Sequence, residues 1–136
     1  MAEKRPDRTL GRHHDTFWEW CAKGELRVQK CTACGHLAFP VVQKCEACGE
    51  PEMTWEKLSG RGKVISWNRF VQDYYHGMMS LPYDCILVAL EEGPTFMGNP
   101  NGFGCDDLTP FMDVKVAFIE CEDSAGVFSL PVFEQA

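Results

Sequence analysis

The sequence predicts a mainly β protein composed of an N-terminal helix, a small metal-bound ribbon and a five-stranded barrel. Three observations predict this arrangement. Two Cys-x-x-Cys-Gly segments lie within residues 31–49, with ten residues between the pairs. One short amphipathic segment precedes them, and about five runs rich in β-branched and aromatic residues follow them. We therefore divide the chain into residues 1–24 (arm and helix), 25–53 (ribbon) and 54–136 (barrel).

The N-terminal part combines an arm and a helix. Residues 1–12 are charged and lack apolar periodicity, which predicts a loose arm. The pattern from residue 14 to residue 23 is helical, because Thr16-x-x-Glu19 fits a capping box and Gly24 is a suitable stop. The apolar positions share one face: Phe17, Trp20 and Cys21. We interpret Phe17, Trp18 and Trp20 as packing the helix onto the protein; docking on a partner subunit is the alternative.

The C-terminal part alternates between strand-like runs and turns. The predicted strands are residues 63–71, 85–90, 95–98, 114–121 and 126–130. Five short strands with one long interruption are typical of a small barrel such as the oligonucleotide/oligosaccharide-binding (OB) fold.

The cysteine pairs carry the strongest signal. Cys31 and Cys34 form one pair, Cys45 and Cys48 the other, and each pair is followed by glycine. Two residues between ligands allow a tight turn to present both sulfurs to one ion, and four thiolates make a closed structural zinc site. A segment of about 30 residues standing alone needs a metal or disulfides, because it cannot bury a sufficient core.

Two other interpretations of this region remain open. Iron is the competing metal, since the same paired segments hold the single iron of rubredoxins, which would make the chain an electron carrier. His36 follows the first pair and is predicted to be a neighbour rather than a ligand, because four sulfurs suffice. His76 is placed in a polar loop, with a catalytic role as the less favoured alternative.

Charge and composition exclude several functions. Residues 1–69 hold 12 Lys and Arg against 9 Asp and Glu, whereas residues 70–136 hold 1 against 11. A nucleic-acid-binding module is therefore an alternative that the acidic second half disfavours. The longest apolar run, residues 85–90, is too short for a membrane span, and no secretory signal precedes it. We expect a cytoplasmic protein with free thiols.

The remaining cysteines show no catalytic pattern. Cys21, Cys85 and Cys121 lie on apolar faces, where cysteine behaves as a small hydrophobe. Cys105 is followed by two carboxylates, which disfavour a nucleophilic thiolate. No phosphate loop, dinucleotide fingerprint or catalytic triad pattern is present, so we predict no catalytic residue.

The order of these parts resembles the rubredoxin-like zinc-ribbon plus OB-fold family associated with acyl-CoA metabolism, over roughly residues 17–133. The matching pieces are Phe17-Trp18-Glu19, Leu26-x-x-Gln29-Lys30-Cys31-x-x-Cys34-Gly35, Phe39-Pro40, Cys45-x-x-Cys48-Gly49, Trp55, Ser59-Gly60-Arg61-Gly62-Lys63-Val64, Gly104-Cys105-Asp106-Asp107-Leu108 and Leu130-Pro131-Val132-Phe133. The chain departs from the family at Phe111-Met112, where a Gly-Met is usual, and in the stretch 98–104.

The resemblance implies a non-catalytic accessory subunit of a thiolase-fold enzyme. Such complexes make or break carbon–carbon bonds in CoA thioesters, as thiolases, acyltransferases or retro-aldolases of steroid side-chain and aromatic degradation. The thiolase-like partner would carry the catalytic residues, and acyl-CoA would be a shared ligand. Arg61 and Lys63, between glycines, are predicted to form a flexible basic turn facing CoA phosphates or a partner's acidic rim; a solvated turn is the alternative.

Overall fold

The computed structural model describes residues 3–136 and is mainly β, as predicted. Its single α-helix within that range, α1, spans His14–Ala22, and a short 3-10 helix spans Cys105–Asp107. The strands are β1 Glu3–Lys4, β2 Arg27–Cys31, β3 Leu37–Ala38, β4 Met53–Lys57, β5 Arg61–Phe70, β6 Tyr83–Leu90, β7 Thr95–Gly98, β8 Asp113–Asp123 and β9 Gly126–Gln135. The predicted strands from residue 63 onward are thus confirmed, with β8 and β9 longer than expected.

A three-stranded antiparallel sheet carries the cysteine segment. β2 lies in the middle, with β3 on one side and β4 on the other. The register pairs Cys31 with Met53 and Arg27 with Lys57, so this sheet runs to Lys57. A boundary between residues 53 and 54 would cut β4; the division at 24/25 and 53/54 stays a prediction.

The second sheet contains the five predicted barrel strands in the order β7-β6-β5-β8-β9, with β1 added in parallel to β8. Within the described residues, its two ends meet at one parallel bridge, between Pro100 and Phe133. Two backbone hydrogen bonds support that bridge, from Asn101 to Phe133 and from Phe133 to Asn99. The sheet is therefore OB-like without being a continuously bonded barrel.

One apolar core joins the helix, the ribbon and the barrel. Phe39 of the ribbon stacks on Phe96 of β7 with ring centroids 4.4 Å apart, and contacts Phe17 of α1 at 5.7 Å. Phe96 in turn meets Phe133, which is completely buried. Rings at these separations add to the burial of their apolar surface. The ribbon is thus attached to the barrel by side-chain packing as well as by the covalent backbone.

The helix starts differently from the prediction. Its N-cap is His13, with a φ of 68° and no side-chain hydrogen bond, and Thr16 lies inside the helix. The predicted capping box is therefore wrong; instead, the Asp15 carboxylate accepts a hydrogen bond from the Gly11 N–H at 3.0 Å. The predicted stop is confirmed, since Gly24 has a φ of 75° and its N–H donates to Cys21.

The aromatic residues of the helix pack onto the protein, as interpreted from the sequence. Phe17 is buried, and Trp18 meets Phe128 of β9 edge-on at 5.3 Å. Trp20 lies under the guanidinium of Arg27 at 3.9 Å. These contacts favour the packing interpretation over docking on a partner.

The N-terminal arm is docked rather than loose, which corrects the prediction. β1 pairs with β8, and the Arg5 N–H donates to the Glu122 carbonyl at 3.0 Å. Arg8 forms an ion pair with Asp123 at 2.9 Å, and its guanidinium lies 4.3 Å from the Phe128 ring. The Asp123 side chain is 1% exposed and that of Arg8 is 12% exposed, so the arm is part of the folded structure. Composition alone missed this because Glu122 and Asp123, which bind the arm, lie more than 110 residues away along the chain.

Candidate metal centre

The ribbon brings the four predicted cysteine side chains together. One sulfur from each of Cys31, Cys34, Cys45 and Cys48 lies within 4.8 Å of the other three. The Cys31 and Cys48 sulfurs are 3.5 Å apart, and those of Cys34 and Cys45 are 3.6 Å apart. Four sulfurs at ~2.3 Å from one tetrahedral zinc ion would be about 3.8 Å from each other. The donor set and its spacing therefore fit one tetrahedral metal ion.

Local backbone geometry explains why the sulfurs converge. The Gly35 N–H donates to the Cys31 carbonyl, and the Gly49 N–H donates to the Cys45 carbonyl. Both glycines have positive φ, 76° and 83°, which a residue with a side chain rarely adopts. The glycine after each pair thus closes a turn that points two thiols inward.

Backbone N–H groups favour the thiolate form of Cys31, whereas its sulfur neighbours raise the pKa values of Cys34 and Cys48. The amides of Cys34 and Ala33 each lie 3.4 Å from the Cys31 sulfur. These hydrogen bonds, the one from Cys34 first, lower the pKa of the Cys31 thiol to about 6. A thiolate is the form that binds a metal.

Two neighbours complete the ribbon. His36 approaches the exposed carboxylate of Glu46, with 3.7 Å between its Nε2 and Oε1, and stays outside the sulfur group. Gln29 is a buried polar residue whose structural role the sequence analysis missed. Its amide donates to the Val42 carbonyl at 2.9 Å and accepts from the Val42 N–H at 2.8 Å. Its position between Val28 and Cys31, both buried in β2, could have indicated this role.

Arg61 and Lys63 lie in a strand and not in a flexible turn, which corrects the sequence interpretation. Both belong to β5, and Gly62 between them packs so closely that a Cβ would lie 2.6 Å from the Ala89 carbonyl oxygen. The Lys63 ammonium is paired with Asp113 at 2.7 Å. Gly62 allows the two strands to approach closely, and Arg61 lies in a regular strand rather than in a flexible turn.

Cys105 belongs to a small polar cluster. Its N–H donates to the Asp84 carboxylate at 2.9 Å, and Arg69 binds the same carboxylate at 2.8 Å. The hydrogen bond from Arg69 holds the pKa of Asp84 well below its usual range, whereas burial, followed by Asp84, raises the pKa of the Cys105 thiol. The neutral thiol is therefore favoured at this position, as it is for the buried Cys21, whose pKa burial raises to about 12.

Comparison with known proteins identifies the ribbon. Residues 18–54 match the family model described as the ChsH2 rubredoxin-like zinc ribbon domain. The segment is a rubredoxin-like zinc ribbon. The resemblance drawn from the sequence is thereby confirmed, and the four cysteines of the zinc ribbon lie together as a structural metal centre requires.

The fold around the zinc ribbon is also found in known proteins. A chain of the structure titled "Ltp2-ChsH2(DUF35) aldolase" matches with a TM-score of 0.82 and 27% identity, covering 95% of this chain and 98% of that one. A DUF35-family protein of unknown function from Sulfolobus solfataricus matches in fold, with a TM-score of 0.58 and 15% identity over 79% of this chain and 78% of that one.

A curated relative shares part of the sequence. The "DUF35 domain-containing scaffold protein" of Pyrococcus furiosus is 32% identical over 87 residues, which is 60% of this chain and 60% of the relative. The alignment thus spans less than two thirds of that relative.

Within residues 3–136, no helix has the length and apolar character that crossing a lipid bilayer requires.

Proposed function

We propose that this chain is a non-catalytic, zinc-binding accessory subunit of a thiolase-fold enzyme that makes or breaks carbon–carbon bonds in CoA thioesters. The observation that carries the proposal is the match along nearly the whole chain to a structure titled as an Ltp2-ChsH2(DUF35) aldolase. The Pyrococcus furiosus relative, named a scaffold protein, supports the same kind of role.

The metal in this proposal is zinc, held by Cys31, Cys34, Cys45 and Cys48. Four thiolates fill a tetrahedral coordination sphere, so the ion supplies folding energy and offers no vacant position to a substrate. The ribbon then packs against α1 and the barrel through Leu26 and Val28, which belong to the shared core. A rigid surface built in this way can position a partner subunit, which would carry the catalytic residues.

Of the two predicted ligand residues, we propose Arg61 for contact with CoA phosphates or with a partner's acidic rim. Lys63 is already neutralised by Asp113, whereas the Arg61 guanidinium has no carboxylate within 4 Å among the described residues. Arg61→Gln is therefore the informative variant, and Lys63→Gln is its control in the same strand.

Affinity purification of the tagged chain from its native host tests the assignment. We expect a thiolase-like companion in stable stoichiometry, and a CoA-thioester cleavage or condensation activity that falls when this chain is removed. Cys45→Ser should abolish the association because the ribbon loses its metal. Isolation of a different class of companion, or full activity of the thiolase-like chain by itself, would contradict the proposal.

A further inference from the structure

A second candidate site lies on the barrel, away from the metal centre. It is a cleft of about 610 Å³ between the N-terminal arm, the helix and the residues that follow β5. Ligand pockets typically occupy ~300–1,000 Å³ and are lined mainly by apolar side chains. The apolar walls are dominated by aromatic rings: Trp18, Phe70, Tyr74, Tyr75, Tyr83 and Phe128.

The rings of the cleft form a preorganised wall. Phe70 and Tyr83 are stacked with centroids 4.9 Å apart and planes 11° from parallel. Tyr74 meets Phe70 edge-on at 6.4 Å, and Tyr75 lies 6.5 Å from Tyr83. Tyr74 and Met97 remain 59% and 67% exposed, so part of the apolar wall is accessible from solvent. This wall suits an apolar body, whether a ring system or an acyl chain.

One cation in the cleft lacks a counter-ion. The Arg5 guanidinium donates to the Asn99 side-chain oxygen at 2.9 Å, and no carboxylate of residues 3–136 lies within 4 Å of it. Asn99 is itself fixed, because its amide donates to the Asp84 carbonyl at 2.8 Å. The other arginine, Arg8, is neutralised by Asp123 and lies over the Phe128 ring, so it forms part of the cleft wall.

The charge of the lining selects the ligand. Among residues 3–136, no carboxylate lines the cleft, and the one unbalanced positive charge there matches one negative charge rather than the several of a polyphosphate. We propose that the cleft binds a monoanionic amphiphile, an apolar ring or acyl body with one carboxylate- or sulfonate-like head group placed at Arg5. This binding needs no partner subunit, and it stands or falls independently of the proposed accessory role.

Two fluorescent probes with the same apolar body test the proposal on the zinc-loaded chain. Anilinonaphthalene sulfonate (ANS) carries one negative charge, and phenylnaphthylamine (NPN) carries none. We expect both to bind one site per chain, with ANS roughly tenfold tighter because it gains a charge-assisted hydrogen bond to Arg5. Equal affinity of the two probes, or binding of neither, would overturn the proposal.

Variants locate the binding and separate charge from folding. Arg5→Gln should reduce the affinity for ANS to that for NPN and leave NPN unchanged, whereas Arg5→Lys should keep the preference for ANS. Loss of both probes in both variants would mean that the arm merely closes the cleft, which contradicts the assigned head-group site.

The apolar wall has a matched control. Met97→Glu places a carboxylate at the opening and should weaken both probes, ANS more than NPN. Phe111 is also 67% exposed but lies outside the cleft, so Phe111→Glu should change neither affinity. Lys115→Gln, on β8, controls for the loss of a positive charge elsewhere. If Phe111→Glu weakens the probes as much as Met97→Glu, the binding is not in this cleft and the proposal fails.

Discussion

The barrel and the zinc ribbon differ in what keeps them folded. The barrel buries large apolar side chains from several strands: Val64, Ile86, Val88, Val114 and Phe133 are at most 1% exposed. The ribbon buries mostly small or polar groups: its fully buried set is Leu26, Val28, Gln29, Cys31, Ala38 and Cys45. Two of these are thiols of the metal centre, and Leu26 and Val28 face the core shared with the barrel.

This difference separates two sources of stability within one chain. The barrel is stabilised by removing apolar surface from water, at ~25 cal/mol per Å². The ribbon gains little from that effect by itself, so its order depends on the metal and on attachment to the barrel through Phe39 and Phe96. Changes in the two regions should therefore have different and separable consequences.

The largest effect is expected from removing a metal ligand. Cys45→Ser should abolish stoichiometric zinc and expose β2 and β3 to rapid amide hydrogen exchange, because structural zinc contributes ~10–16 kcal/mol in comparable domains. The amides of β5 to β9 should retain most of their protection. Cys105→Ser is the control, since that thiol lies outside the sulfur group. A protected ribbon in the metal-free variant would show that its apolar contacts suffice.

Truncating a core side chain of the barrel should lower the stability of the fold without affecting the metal centre. Phe133→Ala removes a completely buried ring that contacts Phe96 and should lower the free energy of unfolding by ~3–5 kcal/mol. The zinc content of the folded fraction should be unchanged. Phe111→Ala, at an exposed position, should change stability by ~0.5 kcal/mol or less. Chemical denaturation measures both, and equal losses would contradict the assignment of Phe133 to the core.

The sequence predicted the features that have a local signal. The Cys-x-x-Cys-Gly pairs predicted the metal centre, because the spacing and the following glycine are local requirements. The β-branched runs predicted β5 to β9, and Gly24 predicted the end of α1. Each of these depends on residues that are close together in the chain.

The features that the sequence analysis got wrong depend on distant partners. The arm was predicted to be loose because nothing near Arg8 indicates Asp123 as its partner. Arg61 and Lys63 were predicted to lie in a flexible turn because two glycines flank Arg61. The packing of Gly62 against Ala89 becomes visible only with the strand register. The aromatic cleft was missed for the same reason, since its rings come from separate segments.

An effect of intermediate size is expected in the ribbon, where the buried Gln29 side chain is hydrogen-bonded to the Val42 backbone. Gln29→Leu removes both hydrogen bonds to the Val42 backbone and leaves a donor and an acceptor unpaired, which costs ~1–3 kcal/mol. The effect should appear as faster exchange of the Val42 amide and weaker retention of zinc under chelator competition. Gln43 is exposed, so Gln43→Leu should leave both unchanged. No change in Gln29→Leu would show that Val42 finds water as a replacement.

The smallest effect is expected at the arm, and its pH dependence follows from Asp123. The hydrogen bond from the Arg8 side chain lowers the pKa of Asp123 from 3.8 to about 2. Because the pKa of Asp123 is lower in the folded chain than in the unfolded chain, its ionised form stabilises the fold. This stabilisation is complete at pH values above about 4 and is lost as the pH falls from about 4 through about 2. The arm should therefore stay docked from pH 7 to pH 5, because Asp123 remains ionised over that range.

Asp123→Asn should detach the arm at neutral pH, because Arg8 would lose its counter-ion while the barrel keeps its core. The indole N–H of Trp18, which donates to the Thr9 carbonyl at 3.1 Å, reports the change as a shift of its NMR resonance. Asp113→Asn, which breaks the exposed pair with Lys63, should leave that resonance in place. If the Trp18 resonance already moves in the wild-type chain between pH 7 and pH 5, a group other than Asp123 controls the docking of the arm.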